Sequence, residues 1–406
     1  MAVASSNSLL TKEFLALNGI IFLVFCNVAV FFQFQNYLQE TLHFPSQSLG
    51  FLIGIFAFTA LFVRPLISPL LHSDNARKWL FLSTLGVILA LLGYYPARDF
   101  WSMTLVRVLH GGTYVVLATA ALTKMMEFIP EKRSGQAFGL ITVITLLPYA
   151  VMPPLLEPLI RGFGGFLPVL FFTAGLMVLI FPLVLMLRGG GKGEQGKTSQ
   201  RIKGRELLEN LKDKRIVALL LISLLVYTAF APVFFFLKGH ALKIGIANPG
   251  WFFTLSTLTE IAVRLFGGTL LDKGSKSQSL VYSLGGLIFC YVLMANASGE
   301  VLFYSLGLGF GICWGVVMPL LNGLIFDTSQ PRLRALNTNL AMVMFQGGFF
   351  LGPLLGGWIL PDGNYPMLYY VCGVMILGAL GLMPLVHENS SKSGVRGSEN
   401  LYPQDE

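Results

Sequence analysis

Long apolar runs dominate the chain from Phe14 to Val386, and short polar or glycine-rich segments separate them. A helix of about 20 apolar residues crosses the hydrocarbon core of a bilayer, which is about 30 Å thick. The pattern predicts an all-α membrane protein with twelve transmembrane helices. Their predicted bounds are residues 14–37, 47–71, 79–96, 101–124, 135–157, 166–187, 216–238, 249–271, 279–296, 301–326, 335–360 and 366–386.

One polar segment interrupts this pattern near the middle of the chain. Residues 188–215 contain nine Lys or Arg and include three consecutive glycines, which is typical of a flexible, solvated loop. The segment is predicted to be a cytoplasmic linker between two six-helix bundles, at residues 1–187 and 216–388. We expect residues 389–406 to form a disordered tail, part of which resembles the remnant of a protease-cleavage tag.

Composition and charge placement agree with a membrane protein. Only 12% of the residues are charged, against about 25% in a soluble protein. Of 28 Lys and Arg, 21 fall on the side of the two chain termini and three lie within helices, while the opposite loops hold Arg98, Arg161, Lys238 and Lys243. Because basic residues are enriched in cytoplasmic loops, we expect a multi-pass inner (plasma) membrane protein with both termini in the cytoplasm. The net charge of +8 follows from this topology, so no nucleic-acid partner is predicted.

The two predicted bundles are related to each other by a shift of 200 residues. Val63-Arg64 falls on Val263-Arg264, Leu70-Leu71 on Leu270-Leu271, Gly111 on Gly311 and Pro153 on Pro353. Each pair lies in corresponding helices of the two bundles. Four matches at one offset indicate a parallel repeat of six helices, which is one of the known plans of secondary transporters.

Several local motifs carry a family resemblance. The loop that starts at Gly268 reads GTLLDKGSK and is similar to a G-x-L-x-D-[RK]-x-G-[RK] loop, while the equivalent segment from Pro69 keeps only the basic pair Arg77-Lys78. Arg107 to Gly112 reads RVLHGG, which resembles an R-x-x-x-G motif, and the loop from Pro130 to Gly139 is also typical. Together with the six plus six helices, these motifs resemble the major facilitator superfamily over about residues 10–388. The resemblance implies a transporter that works by alternating access, and a monomer.

A further motif, Gly348 to Gly357, matches the pattern G-x₃-G-P-x₂-G-G. In proton-driven exporters of the family this pattern marks the fifth helix, whereas here it lies in the eleventh. The resemblance implies gating roles for Arg64, Asp272, Arg77, Lys276, Gly352 and Pro353. The alternative for the charged members is ordinary snorkelling to the membrane interface.

Glu260 and Arg264 are the first candidates for the chemistry of transport. A charge near the bilayer centre costs about 2.5–3.5 kcal/mol on insertion scales. Glu260 lies close to mid-depth of the eighth predicted helix, and Arg264 follows one turn later on the same face. The pair is predicted either to couple transport to protons or to lock the helix as a permanent structural ion pair.

Arg107 and His110 share a face of the fourth predicted helix. Arg107 is predicted either to bind an anionic substrate group or to bond backbone carbonyls, and His110 either to relay protons or to donate a packed hydrogen bond. Further midspan residues with polar groups are predicted to line a substrate cavity, or else to contact neighbouring helices. They are Asn27, Tyr149, Tyr227, Trp314, Asn322 and Gln346.

The sequence contains no P-loop, catalytic triad or metal-ligand cluster, and its four cysteines lie in apolar runs. We therefore expect no cofactor and no enzymatic activity. The favoured function is proton-coupled export of a small drug or metabolite across the bilayer. Uptake of an organic anion is the alternative, because three arginines but one glutamate lie inside the predicted helices, away from their ends. A receptor or a membrane-embedded enzyme is the alternative from a different class.

Overall fold

The computed structural model of the protein describes residues 10–129, 133–187, 210, 212–267 and 275–387. Within these ranges twelve helices follow one another in the predicted order. They are α1 Lys12–Thr41, α2 Ser46–Leu70, α3 Ser73–Gly93, α4 Phe100–Met125, α5 Ser134–Phe163, α6 Phe166–Met186, α7 Lys214–Lys243, α8 Gly250–Phe266, α9 Lys276–Ala295, α10 Glu300–Thr328, α11 Arg334–Ile359 and α12 Tyr365–Val386.

Eleven of these helices are long and apolar enough to cross a membrane. The remaining one, α8, has 17 described residues and is about 26 Å long at 1.5 Å per residue. The chain is thus a multi-pass membrane protein, as predicted. The predicted loop motif at residues 268–274, including Asp272, lies outside the described residues. So do the tail from residue 388 and all of the predicted linker except 210 and 212–215.

Two helices continue further than their apolar runs suggest. Helix α5 ends at Phe163 rather than 157, and α7 ends at Lys243 rather than 238. The prediction that Arg161, Lys238 and Lys243 lie in loops is therefore wrong. The last residues of α5, Arg161 to Phe163, are exposed, whereas the end of α7 packs into the bundle and Lys238 is only 7% exposed.

The six short connections 42–45, 94–99, 164–165, 244–249, 296–299 and 360–364 share one side of the bundle, which we call the short-loop end. The described N-terminal residues, the start of α7 and the end of α12 share the other side, the terminal end.

The turn between α5 and α6 consists of Gly164 and Gly165 alone, whose φ angles of 77° and 148° favour glycine. Asp99 caps α4, and hydrogen bonds from Ser102 hold the pKa of this exposed carboxyl below its usual range.

The two halves, α1–α6 and α7–α12, repeat the same helix contacts at the 200-residue offset. Gly111 of α4 packs against the backbone of Phe56 in α2, and Gly311 of α10 packs against the backbone of Ser256 in α8. In both halves an added Cβ would overlap the facing carbonyl oxygen or lie unusually close to it. The parallel repeat that the sequence predicts is therefore confirmed by the packing.

Two seams join the halves at the short-loop end, α2 against α11 and α5 against α8. In the first seam Gly50 touches the Pro353 carbonyl, and in the second Gly250 touches the Pro153 carbonyl. Gly50 and Gly250, like Pro353 and Pro153, are 200 residues apart. The seams are thus related by the repeat, and in each the backbones meet without an intervening side chain.

Towards the terminal end the same helices separate. Residues 61–70 of α2 and 261–266 of α8 include no buried residue, although 49–57 of α2 are mostly buried. Six consecutive residues of α5, Thr142–Leu147, are all partly exposed. Six residues cover every face of a helix, so this part of α5 is exposed on its inner side as well as its outer side. The space between the halves is closed at the short-loop end and opens towards the terminal end.

Candidate functional site

An aromatic layer closes the space between the halves below the short-loop end. Phe32 of α1 packs edge-on against Phe253 of α8 with ring centroids 4.7 Å apart, and also against Phe234 of α7 at 6.1 Å. Tyr149 of α5 lies deeper, between Phe25 at 6.3 Å and Phe234 at 5.8 Å. Both halves contribute rings, so the layer must part if the halves separate at this end.

Glu260 and Arg264 form an ion pair on α8, at the depth where the space begins to open. The Glu260 side chain is 7% exposed and that of Arg264 is 20% exposed. Tyr149 is close enough to Glu260 to interact with its charge, and Tyr227 is similarly close to Arg264. The structure thus brings together four predicted site residues, one from the N-terminal half and three from the C-terminal half.

Aromatic side chains extend the wall of this site in the C-terminal half. Trp314 of α10 stacks on Phe230 of α7 with a centroid distance of 4.0 Å and an angle of 8°. Tyr227 contacts Trp314 at 6.0 Å and Phe345 at 5.0 Å, both edge-on. Such a surface binds flat, apolar groups through stacking and edge contacts.

The contacts of the Arg107 side chain lie within the N-terminal half. Its Nε donates to the Leu52 carbonyl at 2.9 Å and its Nη2 to the Ile53 carbonyl at 2.6 Å. The guanidinium also lies 4.7–5.0 Å from three phenylalanine rings and is 2% exposed. This is the carbonyl-bonding role that the sequence left open, and it places Arg107 away from the space between the halves.

His110 and Asn27 belong to the same buried network. The His110 Nε2 pairs with the Asn27 side-chain amide at 3.0 Å, and its Nδ1 pairs with the Tyr94 hydroxyl at 3.1 Å. The Arg107 Nη1 donates to that hydroxyl at 3.4 Å. Both His110 and Asn27 are fully buried. The network ties α1, α3 and α4 together and holds these residues apart from Glu260.

The remaining predicted site residues are scattered. Gln346 is buried in α11 and Asn322 is exposed on α10. At the terminal end, Lys276 pairs with Asp327 at 2.8 Å, while Arg64 and Arg77 are partly exposed. Gly352 lies against Thr228 and Ala231 of α7, whereas Pro353 touches Gly50 of the other half. The glycine motif of α11 thus packs on α7 with one face and on α2 with another.

Sequence reasoning missed a cluster that crosses between the halves at the short-loop end. Lys238 of α7 donates to the Glu157 carboxylate of α5 at 3.0 Å and also to the Gln33 carbonyl oxygen of α1. The Gln33 amide in turn donates to Glu157 at 3.2 Å. We call these three residues the lock. The sequence indicated this cluster only by an acid and a base near predicted helix ends and a glutamine in the first helix.

Prolines of α5 free backbone carbonyls that accept hydrogen bonds at the α5–α8 seam. A proline has no N–H, so the carbonyl four residues earlier has no helical partner. Pro154 and Pro158 free the carbonyls of Ala150 and Pro154 in this way. The Thr254 hydroxyl donates to Ala150 at 2.6 Å, and the Asn248 amide donates to Pro154 at 3.3 Å. The prolines of one half therefore meet hydrogen-bond donors of the other.

Metal chemistry has no candidate here: the described residues contain no group of three or more His, Cys, Asp and Glu that could hold a metal ion.

Comparison with known proteins gives a family match over nearly the whole chain. The family model described as Major Facilitator Superfamily matches residues 17–246 and 219–401. The multidrug resistance protein MdtG of Proteus mirabilis is 24% identical over 359 residues, which cover 84% of this chain and 87% of that protein. The quinolone resistance protein NorA of Staphylococcus aureus is 32% identical over 151 residues, 36% of this chain and 38% of NorA.

Solved structures share the fold. The nucleoside transporter NupG superposes with a TM-score of 0.76 at 16% identity and covers 92% of this chain and 99% of its own. A bacterial homologue of the human lysosomal transporter Spinster, in an inward-facing and occupied conformation, has a TM-score of 0.71 at 14% identity. It covers 92% of this chain and 96% of its own.

Proposed function

Because the chain belongs to the Major Facilitator Superfamily, we propose that it is a proton-coupled antiporter that exports a small, apolar or amphipathic organic molecule by alternating access. The observation that carries this proposal is the Glu260–Arg264 pair, which lies beside an aromatic wall in the space between the two halves. Movement, substrate class and coupling each rest on a separate set of contacts, and direction rests on the relatives.

The movement is a rocking of the two halves about the site. Glycines and prolines bring the seams into backbone contact at the short-loop end, and the same helices separate towards the terminal end. This is the arrangement expected of one of two alternating states. With the terminal end in the cytoplasm, as the basic residues favour, the site is accessible from inside the cell.

The aromatic wall supports the proposed substrate class. Tyr149, Tyr227, Phe230 and Trp314 offer ring faces and edges, with few polar points. An apolar pocket with a small number of polar groups suits an apolar or amphipathic molecule, because most of the ligand surface leaves water on binding. A cationic substrate would gain further from the negative charge of Glu260.

Glu260 is the proposed coupling residue. A carboxyl group that is almost fully buried carries either a proton or a charge that its ion-pair partner stabilises. Arg264 is one helical turn away and pairs with the charged form. Substrate and proton would therefore compete for the same carboxylate, which is the requirement for antiport.

Export is the favoured direction. The relatives MdtG and NorA are named for multidrug and quinolone resistance, and removal of a drug from the cell confers resistance. MdtG aligns over 84% of this chain, so the comparison covers both halves.

The test is proton movement in proteoliposomes that contain a trapped pH dye. Lipophilic cations and organic anions would be added in turn to wild type and to Glu260→Gln. We expect proton flux with at least one cationic compound, reduced at least about tenfold in the variant, whereas exchange of labelled substrate without protons continues.

Glu300→Gln is the matched control, because Glu300 is an exposed acid at the start of α10. It should retain the wild-type flux. If Glu260→Gln also retains it, Glu260 and Arg264 are a structural pair and the coupling assignment is overturned.

Uptake of an organic anion is the second candidate, and one observation favours it. The Nε of Arg264 and that of Arg64 are buried without a hydrogen-bond partner in the described part of the chain. Each arginine thus retains a donor that suits a carboxylate. Flux with organic anions but with no cation in the same assay would select this function.

A further inference from the structure

The lock joins the two halves by charge as well as by packing. Gln33 and Glu157 belong to the N-terminal half, and Lys238 belongs to the C-terminal half. Lys238 donates to both of them from the last turns of α7. The side chains of Lys238 and Glu157 are 9% and 25% exposed, so the pair is largely removed from solvent.

The repeat shows that the fold does not need these charges in order to close. At the 200-residue offset Glu157 corresponds to Gly357, and Lys238 corresponds to Leu38. Gly357 lies directly on the backbone of Ser46 and Gly50, and Phe58 packs on Phe350, so among the described residues this seam closes without an ion pair across it. A polar cavity of about 260 Å³, which Gln35, Gln39 and Gly357 help to line, lies beside it.

A buried ion pair is a costly way to close a seam that packing already closes. Its distinguishing property is that it depends on the protonation state of the acid. Glu157 accepts from Lys238 and from the Gln33 amide through the same carboxylate oxygen, and only the ionised form adds a charge attraction to Lys238. Protonation removes the charge that holds Lys238 in place.

The charged neighbours of Glu157 are few. Besides Lys238, the Arg161 Nε lies 3.5 Å from the carboxylate, on a side chain that is 76% exposed. On α7, His240 instead packs against Tyr365 and Tyr369 of α12, and Lys243 donates to the Gly363 carbonyl. On α1, beyond Gln33, the Glu40 carboxylate accepts from Asn36. The state of the lock is therefore set mainly by Glu157 and Lys238.

We propose that Glu157 is a second proton-binding site, and that its protonation from the short-loop side releases Lys238 and allows the halves to part at that end. The proton adds to the carboxylate oxygen that Lys238 contacts, and it returns to the same side before the lock re-forms. The inference rests on the alternating access of the proposed function. It assigns to Glu157 a role in conformation that is separate from coupling at Glu260.

The test measures opening directly and needs no substrate. Ala150 is 3% exposed, lies on α5 two turns below Glu157, and its carbonyl accepts from Thr254 across the seam. With Ala150→Cys as the reporter, a membrane-impermeant maleimide is added on the short-loop side at acidic and at neutral pH. The protein without the reporter gives the background of the four native, largely buried cysteines. Because a maleimide reacts with the thiolate, whose fraction falls with pH, each labelling rate is divided by that of the unfolded reporter protein at the same pH. We expect this relative labelling rate to be about tenfold higher at acidic pH.

Two variants identify the proton-binding group. Glu157→Gln mimics the protonated acid and should label rapidly at both pH values, and Lys238→Met should do the same because the pair is absent. Glu300→Gln is the matched control and should keep the pH dependence of the reporter protein. Exchanging the two charges, with Glu157→Lys and Lys238→Glu together, should restore slow labelling at neutral pH.

Two results would overturn the proposal: a relative labelling rate of the reporter protein that does not change with pH, or a Glu157→Gln variant as slow as the reporter protein at neutral pH. Failure of the proposed function looks different. If no compound drives proton flux but labelling still depends on Glu157, the lock is a proton site in a protein whose transport assignment is wrong.

Discussion

The two seams close the same end of the molecule by different means. On the α2–α11 seam, Gly50, Gly54 and Gly357 bring the backbones together. On the α5–α8 seam, Gly250 does the same, but Asn248 and Thr254 add hydrogen bonds, and the lock adds an ion pair beside this seam, between α5 and α7. Since the repeat relates the seams, the comparison teaches that packing is sufficient for closure. The polar groups of one seam make closure responsive to chemistry.

The same contrast continues towards the terminal end. Helix α8 carries Glu260 one turn before Arg264, whereas α2 carries Ala60 one turn before Arg64. Gly315 of α10 leaves room beside Glu260, and its counterpart at the offset is Val115. The N-terminal half therefore has the arginine without the acid. The two ion pairs proposed to bind protons, Glu157–Lys238 and Glu260–Arg264, lie on α5, α7 and α8.

The largest expected effect on stability comes from replacing the arginine that has an acidic partner, and the matching arginine of the other half is the comparison. Arg264→Met leaves Glu260 buried without its partner and should lower the free energy of unfolding by about 3–5 kcal/mol. Arg64→Met, in the other half, removes no ion pair with a described residue and should cost less than about 1 kcal/mol. Thermal unfolding of the purified variants checks the difference, and equal losses would show that the two arginines have equivalent roles.

The glycines test whether the seams are equivalent in packing. Gly50→Ala and Gly250→Ala each place a Cβ against a facing carbonyl and should disfavour the closed state by about 1–3 kcal/mol. Labelling of the Ala150→Cys reporter should rise by a similar factor in both. Gly285→Ala is the control, because an added Cβ there meets nothing within 4 Å. A rise in only one of the two variants would mean that the seams do not open together.

The smallest expected effect concerns one hydrogen bond. Thr254→Val removes the donor to Ala150 at nearly constant volume and should cost the closed state about 1 kcal/mol. Thr59→Val is the matched control, because its hydroxyl bonds the Ile55 carbonyl of its own helix. Reporter labelling should rise about fivefold in Thr254→Val and stay unchanged in Thr59→Val. A larger rise in Thr59→Val than in Thr254→Val would show that the Thr254 hydroxyl does not stabilise the closed seam.

Much of the fold could be predicted from the sequence because apolar length and charge placement are local signals. The twelve helices follow from them. The repeat follows from residues that match at an offset of 200, and the Glu260–Arg264 pair follows from a spacing of four on one helix. Helix ends were predicted less accurately. Glu157 and Lys238 are the last residues of their predicted apolar runs. Local hydrophobicity therefore predicts that they lie at the membrane surface, whereas they lie inside the bundle.

The partners across the molecule could not be predicted. Glu157 and Lys238 are 81 residues apart, and nothing in their spacing indicates contact. Arg107 illustrates the same limit, since its acceptors are the backbone carbonyls of Leu52 and Ile53, which every residue possesses. Whether an intramembrane arginine binds substrate or backbone is decided by tertiary packing, which a single sequence does not contain.

The prolines of α5 have a consequence for water. The carbonyls of Ala150 and Pro154 lack helical N–H partners, and Thr254 of α8 and Asn248 of the connection before it satisfy them only while the seam is closed. An unsatisfied buried carbonyl costs about 1–3 kcal/mol, so an open seam must hydrate both. When the halves separate, water must therefore reach α5 as far as Ala150. Solutes that are excluded from the seam disfavour this hydration, so we expect them to stabilise the closed form.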